Sequence, residues 1–263
     1  MLILLPPSEG KTAPRRGKPL RPDTLAFPGL AEPRAEVLDT LLAVCARDDE
    51  DGVQAAARTL GLGPTQADEV RRNAGLREAP AARAARVYSG VLYEALDLAG
   101  LDAAARRRAT SWIAVTSALF GLVRPGDRIP AYRLAGDVAL PGVGTGSTYG
   151  SRHRDAAVRE AAGRGLVVDL RSSTYAAFWR PDRDLASRVV SVRVLHEVDG
   201  TRKVVSHFNK ATQGRIVRDL LVDGAAPTTP ARFADHLGAL GWKVEDGGHG
   251  RAGTRLDVVV SDL

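Results

Sequence analysis

Short apolar runs alternate along the chain with longer segments in which apolar residues recur at a helical spacing. The runs predict buried strands at 1–5, 112–117, 166–170 and 189–198, the last paired with 203–208 across Asp199 and Gly200, and a closing strand at 257–260. The helical spacing covers 33–46, a stretch ending at Thr59, and then 64–74, 80–100, 151–164, 210–222 and 229–240. Because strands and helices alternate, the sequence predicts an α/β fold, with a mixed α+β arrangement as the alternative.

Nothing in this pattern divides the chain, so we predict a single compact domain over 1–263. A chain of 263 residues, 44% of them hydrophobic, can bury a large core without cross-links. No apolar run approaches the roughly 20 residues that span a bilayer, and the opening run lacks a basic leader. The lone cysteine, Cys45, cannot pair within the chain. We therefore expect a cytoplasmic protein with no membrane partner, and the oligomeric state stays open.

The charge of the chain changes this picture in one respect. A net charge of +6 is compatible with a polyanionic partner. The basic residues are mostly arginine, and only Lys11, Lys18, Lys203, Lys210 and Lys243 are lysine. Where an arginine-rich chain keeps an amine, the site can require a compact charge or a titratable nucleophile, which a guanidinium does not supply. Lys11 and Lys210 have the best sequence contexts for such a role.

Four predicted strands end in polar loops. The candidate catalytic residues in these loops are Ser8, Lys11, Tyr132, Asp169 and Lys210, and the candidate anion-binding residues are Arg124, Arg133, Arg171 and Arg215. Since open α/β sheets place their sites at the carboxyl ends of strands, these loops are expected to converge on one cationic cleft. A phenol beside a guanidinium, as at Tyr132 and Arg133, suits a phosphate or a flipped base. The alternative is that each loop only caps its own element.

A glycine-containing connection follows the second predicted helix. Residues 60–66 read Leu-Gly-Leu-Gly-Pro-Thr-Gln, which matches the turn of a helix-hairpin-helix DNA-binding element over about 52–76. Backbone N–H groups of such a turn can hold a DNA phosphate. The predicted contact residues are Gly61, Gly63, Thr65, Arg71, Arg72 and Asn73. A plain helix–helix connection is the alternative, and the acidic residues Asp68 and Glu69 weaken the DNA interpretation.

Metal and cofactor signals are weak. The five histidines show no ligand spacing with each other or with Cys45, so no metal site is predicted. No Walker loop or dinucleotide fingerprint follows a strand, so no cofactor is predicted.

The same motifs resemble the peroxide stress protein YaaA family. The resemblance runs from Met1 to about Leu221, and it rests on the opening strand, Val87–Tyr93, Phe120–Pro125, Tyr132–Leu134 and Lys210–Arg215 in family order. It implies a cantaloupe-like fold with a helix-hairpin-helix element, a positively charged cleft, binding of duplex DNA and protection from hydrogen peroxide. The first loop departs from the better-known branch, which has Ser-Pro-Ala-Lys, and Lys11 is the candidate to replace that lysine.

Two functions stay open at this stage. The first is a DNA-binding protein of the peroxide stress response that contacts the duplex backbone through the hairpin and the cleft. The alternative is an enzyme on a nucleotide or damaged nucleobase in the same cleft, with Lys210 or Lys11 as amine nucleophile or phosphate clamp. Burial of Lys11, Tyr132, Asp169 and Lys210 in one closed pocket favours chemistry, whereas their spread along an open groove favours binding.

Overall fold

The computed structural model describes residues 1–146, 151–198, 201–203 and 206–261. Its strands are β1 (Leu2–Leu5), β2 (Ala82–Arg83), β3 (Ile113–Ser117), β4 (Gly121–Val123), β5 (Arg128–Ile129), β6 (Val167–Asp169), β7 (Val189–Val198), β8 (Thr201–Lys203), β9 (Lys243–Gly250) and β10 (Gly253–Val260). Its helices are α1 (Ala31–Val44), α2 (Glu50–Thr59), α3 (Ala67–Ala74), α4 (Ala84–Val87), α5 (Val91–Leu96), α6 (Ala103–Trp112), α7 (Ser151–Ala162), α8 (Ser173–Ala176), α9 (Arg183–Ala186), α10 (Ser206–Asp223) and α11 (Pro230–Ala239). The predicted α/β class is confirmed.

One mixed sheet organises the chain. Its strand order is β4-β3-β1-β6-β7-β10-β9, and β8 pairs with the end of β7. The neighbours from β3 to β10 run parallel, while β4, β8 and β9 are antiparallel to their partners. In the centre, Ile3 of β1 lies opposite Ile113 of β3 and Val168 of β6. The three central strands therefore end at the same edge of the sheet, and the loop that begins at Pro6 leaves from its middle.

Side chains of β1 alternate between two cores, one on each face of the sheet. Ile3 and Leu5 belong to the larger core, which also contains buried residues of α1, α2, α3, α5, α6 and α10. Leu2 and Leu4 belong to the smaller core, which includes residues of α7 and α9. All four side chains are fully buried, as expected for a parallel strand covered on both faces.

The chain departs from the predicted elements where the apolar pattern is ambiguous. The single helix predicted over 80–100 is interrupted between α4 and α5, because Gly90 takes a φ of 91° that only glycine adopts easily. The hydrophobic pattern did not predict α6, because the buried residues of this helix, Ala105 and Ala109, are small and give a weak apolar signal. It also missed β9, which forms a hairpin with β10. The predicted pairing of 189–198 with a following strand is confirmed, but that strand is β8 (Thr201–Lys203), and the predicted bounds of 203–208 are wrong because α10 begins at Ser206.

The connection between α2 and α3 is tight. Gly61 has a φ of 63°, whereas Gly63 is extended with a φ of −75°. The backbone N–H of Gly63 donates to Oε1 of Gln66 at 2.9 Å. Leu60 and Val70 are buried in the same core, so the two helices pack against each other. Such a connection serves a plain helix pair as well as a DNA-binding hairpin, and the helix-hairpin-helix assignment stays a prediction.

The backbone angles of Gly61 and Gly63 predict that a side chain is tolerated less well at Gly61 than at Gly63. Gly61→Val should lower the free energy of unfolding by about 1–2 kcal/mol, because a β-branched residue is strained in the left-handed region. No heavy atom lies within 4 Å of an added Cβ at Gly61, so the loss would report backbone strain alone. Gly63→Val is the matched control and should cost much less. Chemical denaturation measures both, and equal losses would contradict the assigned backbone geometry.

Candidate functional site

Four chain segments line one cavity of about 180 Å³ at the carboxyl edge of the central strands. They are the loop after β1, the segment 133–137, the region around α8 and Lys210 of α10. The region around α8 follows β6, and Lys210 lies near the start of α10, the helix after β8. The sheet topology therefore brings these segments together, as expected. The cavity contains cations from Lys11, Arg133 and Lys210 and carboxylates from Glu9 and Asp137.

The amine of Lys11 lies inside this cavity. Its Nζ donates to the carbonyl oxygen of Ser8 at 2.8 Å and to that of Glu9 at 3.4 Å. It also lies 4.2 Å from the centroid of the Tyr132 ring. Burial lowers the pKa of Lys11 to about 7, with a further lowering by Arg133 that the carboxylates of Glu69 and Glu9 oppose. The amine is thus neutral in a large share of molecules near neutral pH.

Buried phenols form the floor under Lys11. The hydroxyl of Tyr132 lies 2.7 Å from Oγ of Ser117 and 3.0 Å from the hydroxyl of Tyr88. Burial raises the pKa of both phenols well above the ordinary tyrosine value, so they stay neutral. Tyr132 is 2% exposed and is absent from the cavity lining, so it supports Lys11 from below rather than meeting a ligand.

Hydrogen bonds fix the loop that carries Lys11. Oγ of Ser8 donates to the carbonyl of Gly10 at 2.5 Å and accepts from the backbone N–H of Ser89 at 3.1 Å. The hydroxyl of Tyr93 donates to the carbonyl of Pro6 at 2.6 Å. Ser8 was predicted as a catalytic residue, but its hydroxyl is engaged in holding the loop.

Two carboxylates at the cavity were missed among the predicted site residues. Glu9 belongs to the loop after β1, and Asp137 follows Gly136 in the segment 133–137. An added Cβ at Gly136 would lie 3.0 Å from Phe178 and 3.1 Å from Tyr175, so glycine lets this segment approach α8. Burial and the nearby phenol and carboxylates, including Asp137, raise the pKa of Tyr175 above the ordinary value. In the sequence, the glycine directly before Asp137 was the feature that could have indicated a close approach of the backbone at this position.

Asn73 was predicted to contact DNA, and the structure gives it a different role. Its side chain is fully buried, and its Nδ2 donates to the carbonyl of Arg133 at 2.7 Å. The backbone N–H of Arg133 donates back to Oδ1 of Asn73 at 2.9 Å. This correction follows from burial, because an amide with both ends engaged cannot meet a phosphate. Asn73 instead fastens α3 to the segment that carries Tyr132 and Arg133.

Three predicted residues are engaged outside the cavity. Arg171 pairs with both carboxylate oxygens of Asp169, at 2.8 Å and 2.7 Å, and its side chain is 2% exposed. Arg171 also donates to the carbonyls of Tyr175 and Trp179, so it holds the chain that follows β6 in place. The guanidinium of Arg124 donates to two carbonyls that precede or begin β3. Asp169, Arg171 and Arg124 are therefore engaged in holding the chain around β3 and β6, and their catalytic and anion-binding roles stay predictions.

The remaining predicted residues lie at the surface. Lys210 is exposed and lines the mouth of the cavity. Arg71 pairs with Asp68 at 3.2 Å, and Arg72 pairs with Glu69 at 2.6 Å. Thr65 and Arg215 are exposed, and neither lines the cavity.

In the ranges that the structure covers, no three His, Cys, Asp or Glu side chains form a group suited to a metal ion. No helix in the same ranges has the length and apolarity needed to cross a bilayer.

The fold and the cavity define an α/β protein with a partly buried amine, its pKa lowered chiefly by desolvation, at the carboxyl edge of a largely parallel sheet. A family profile described as peroxide stress protein YaaA matches residues 1–244. A UPF0246 protein of Streptomyces coelicolor is 49% identical over the full length of both chains. A UPF0246 protein of Corynebacterium efficiens is 41% identical over 93% of this chain and 95% of its own. The chain belongs to the peroxide stress protein YaaA (UPF0246) family, which supports a role in the oxidative stress response.

The Asn73 clamp predicts a loss of stability on truncation. Asn73→Ala should lower the free energy of unfolding by about 2–3 kcal/mol, because it removes a fully buried amide and two hydrogen bonds to the partly buried backbone of Arg133. Arg71→Ala, two residues earlier on the exposed face of α3, is the control and should change stability by less than about 0.5 kcal/mol. Denaturant titration of both variants checks this. A loss in Asn73→Ala no larger than in the control would show that the clamp is weak.

The low pKa of Lys11 predicts a pH dependence of stability. The folded state binds fewer protons than the unfolded state between pH 7 and the ordinary lysine pKa, so stability from this group rises with pH in that window, by at most about 1.4 kcal/mol per pH unit. Lys11→Met should remove this slope, and exposed Lys18→Met should keep it. Unfolding at pH 6, 8 and 10 measures the difference. Parallel pH profiles for wild type and Lys11→Met would contradict the buried amine.

Proposed function

We propose that this protein acts in the oxidative stress response as an enzyme on a nucleotide or damaged nucleobase, with Lys11 as its amine nucleophile. The observation that carries the proposal is the burial of this amine in a polar cavity, with its pKa lowered to about 7. Enzymes activate lysine nucleophiles in this way, by desolvation and by a neighbouring cation. Membership in the peroxide stress protein YaaA family supports the biological setting.

The hydrogen bonds of Lys11 favour it over Lys210 as the nucleophile. A neutral amine has two N–H groups, and the carbonyls of Ser8 and Glu9 accept from Nζ. This leaves the lone pair uncommitted. Lys210 is exposed at the mouth of the cavity, where a charged amine suits a phosphate clamp.

The reaction class that fits is addition of the amine to a carbonyl carbon, such as the aldehyde of an oxidatively damaged sugar. The N–C bond forms, the carbonyl oxygen takes up protons and leaves as water, and a Schiff base remains. Glu9 and Asp137 line the same cavity and can accept and return those protons. The imine makes the neighbouring C–H acidic, so one of these carboxylates can take that proton while the phosphate at the β-position leaves with the electron pair of its C–O bond. Water then hydrolyses the imine, which frees the amine and releases an unsaturated aldehyde as product.

The distribution of the other predicted residues also supports an enzyme. Asn73 is buried, and Arg124 and Arg171 are engaged with backbone carbonyls. Lys11, Arg133 and Lys210 line one partly open cavity with the Tyr132 ring beneath Lys11, whereas Asp169 lies outside it. This arrangement is closer to a pocket for one nucleotide than to a groove for a duplex.

Duplex binding is the second candidate function. The left-handed Gly61, the exposed Thr65 and the exposed Arg71 occupy the positions that a phosphate-binding hairpin uses. Such binding would deliver a damaged duplex to the neighbouring cavity, because Asn73 fastens α3 to the Arg133 segment.

Borohydride trapping tests the enzyme proposal. Wild-type protein mixed at pH 8 with an oligonucleotide carrying an aldehydic sugar, then reduced, should form an adduct that mass mapping assigns to Lys11. Lys210→Arg should keep the adduct, because it retains the charge at the mouth. Lys11→Arg should lose it, because a guanidinium is not a nucleophile. An adduct on another lysine, or none in wild type across oxidised sugar and base probes, would sink the proposal.

Salt dependence tests the duplex candidate. If Arg71 and Arg72 contact phosphates, the double variant Arg71→Gln/Arg72→Gln should reduce the slope of log K against log salt by about 0.9 for each lost contact. The loss of affinity should be the same for unrelated sequences. Exposed Arg232→Gln on α11 is the control and should leave the slope unchanged. An unchanged slope in the double variant would remove the hairpin from the interface.

A further inference from the structure

A second cavity, of about 280 Å³, lies away from Lys11 and is surrounded by arginines. Its wall contains Arg83, Arg86 and Arg106, together with an apolar surface that includes Leu98 and Ala109. It shares no lining residue with the Lys11 cavity.

The topology places this cavity at the opposite edge of the sheet. β4 is antiparallel to β3, so the chain leaves β4 beside the start of β3, where Arg124 donates to the carbonyl of Ile113 at 2.9 Å. Pro125 and Gly126 follow at once and line the cavity. The last turns of α6, which lead into β3, supply the facing wall.

Backbone contacts hold the first two arginines at this edge. The backbone N–H of Ala84 donates to the carbonyl of Asp127 at 2.7 Å, and that of Ala85 donates to the carbonyl of Pro125 at 3.0 Å. These bonds join α4 to the loop after β4. Arg83 and Arg86, which flank the bonded residues, are thereby presented at the same cavity as Arg106.

The guanidiniums of Arg83, Arg86 and Arg106 are exposed. Within the described ranges, none of the three makes a hydrogen bond or an ion pair with another residue. Among the residues that the structure describes, no carboxylate lines this cavity. Asp102 is the carboxylate whose pKa Arg106 helps to lower, but its main interaction is the 2.7 Å hydrogen bond from the Ala105 backbone that caps α6.

Like charges gathered around one concavity repel each other, and an anion relieves that repulsion. Guanidiniums bind phosphoryl oxygens through paired hydrogen bonds, which suits a cavity with donors on two sides. Leu98, Ala109 and Pro125 offer an apolar surface to the rest of the ligand. We propose that Arg83, Arg86 and Arg106 form a second binding site, for a phosphoryl group, at the edge of the sheet opposite the Lys11 cavity.

The phosphoryl group can belong to a free nucleotide or diphosphate or to a nucleic-acid backbone. The probes are therefore pyrophosphate, a nucleoside diphosphate and a short DNA duplex, each titrated calorimetrically against the full chain at low salt. Pyrophosphate or diphosphate binding without duplex binding identifies a small-molecule site. Duplex binding that depends on the same arginines identifies a backbone contact.

Arginines that line the cavity and a neighbouring arginine that does not give the decisive comparison. Arg86→Gln/Arg106→Gln should weaken binding of whichever probe binds by at least about tenfold, since each charge-assisted contact contributes about a factor of ten. Arg107→Gln is the control, because Arg107 is exposed on α6 next to Arg106 but does not line the cavity. It should change affinity by less than about twofold. Failure of wild type to bind any of the probes, or equal losses in both variants, would overturn the proposal.

The comparison remains valid if the double variant is less stable. Arg83→Gln independently removes one cavity-lining charge, from β2. Thermal unfolding without ligand checks that each variant is folded. Lys11→Arg should bind these probes at this site as wild type does, so failure here is separate from failure of the Lys11 chemistry.

Discussion

The site depends on the amine of Lys11 being held against the face of Tyr132 at the end of the central strand. Burial and Arg133 oppose the charged amine, whereas the carbonyl of Ser8 and the ring of Tyr132 favour it. Desolvation dominates this balance. The reactive form of the amine is then available without a separate base, and the cavity can combine a neutral nucleophile with charged groups at its rim.

The surrounding structure keeps this amine in place. β1 lies in the middle of the sheet with both faces covered, so the loop that follows it starts from a rigid position. The hydroxyl network of Ser117, Tyr132 and Tyr88 fixes the floor, and Asn73 fixes the Arg133 segment, which lines the same cavity as Lys11. α3 is therefore coupled to the cavity through one buried amide. A ligand that displaced α3 would also move Arg133 and change the electrostatics around Lys11.

The sequence was informative where one interaction dominates. The apolar run at β1 and the polar ends of the central strands predicted buried strands and polar loops that converge at one edge, because continuous apolar runs are typical of parallel strands covered on both faces and such sheets place sites at their carboxyl edge. It was less informative for α6, whose buried face is alanine, and for the break at Gly90, which depends on a backbone angle. The roles of Asn73, Asp169 and Arg171 depend on tertiary hydrogen bonds and pairing. No local pattern distinguishes a buried amide or a paired carboxylate from an exposed ligand contact.

Direct titration of Lys11 tests the central claim. The chain has lysine at only 11, 18, 203, 210 and 243, so selective isotope labelling of lysine side chains gives few NMR signals, and Lys11→Arg assigns the one of interest. We predict that the Lys11 signal titrates with a pKa of about 7 in the folded protein. If the Lys11 amine instead stays protonated up to the ordinary lysine pKa, the Tyr132 ring and the carbonyls outweigh burial. That result would contradict the role of Lys11 as a nucleophile at neutral pH.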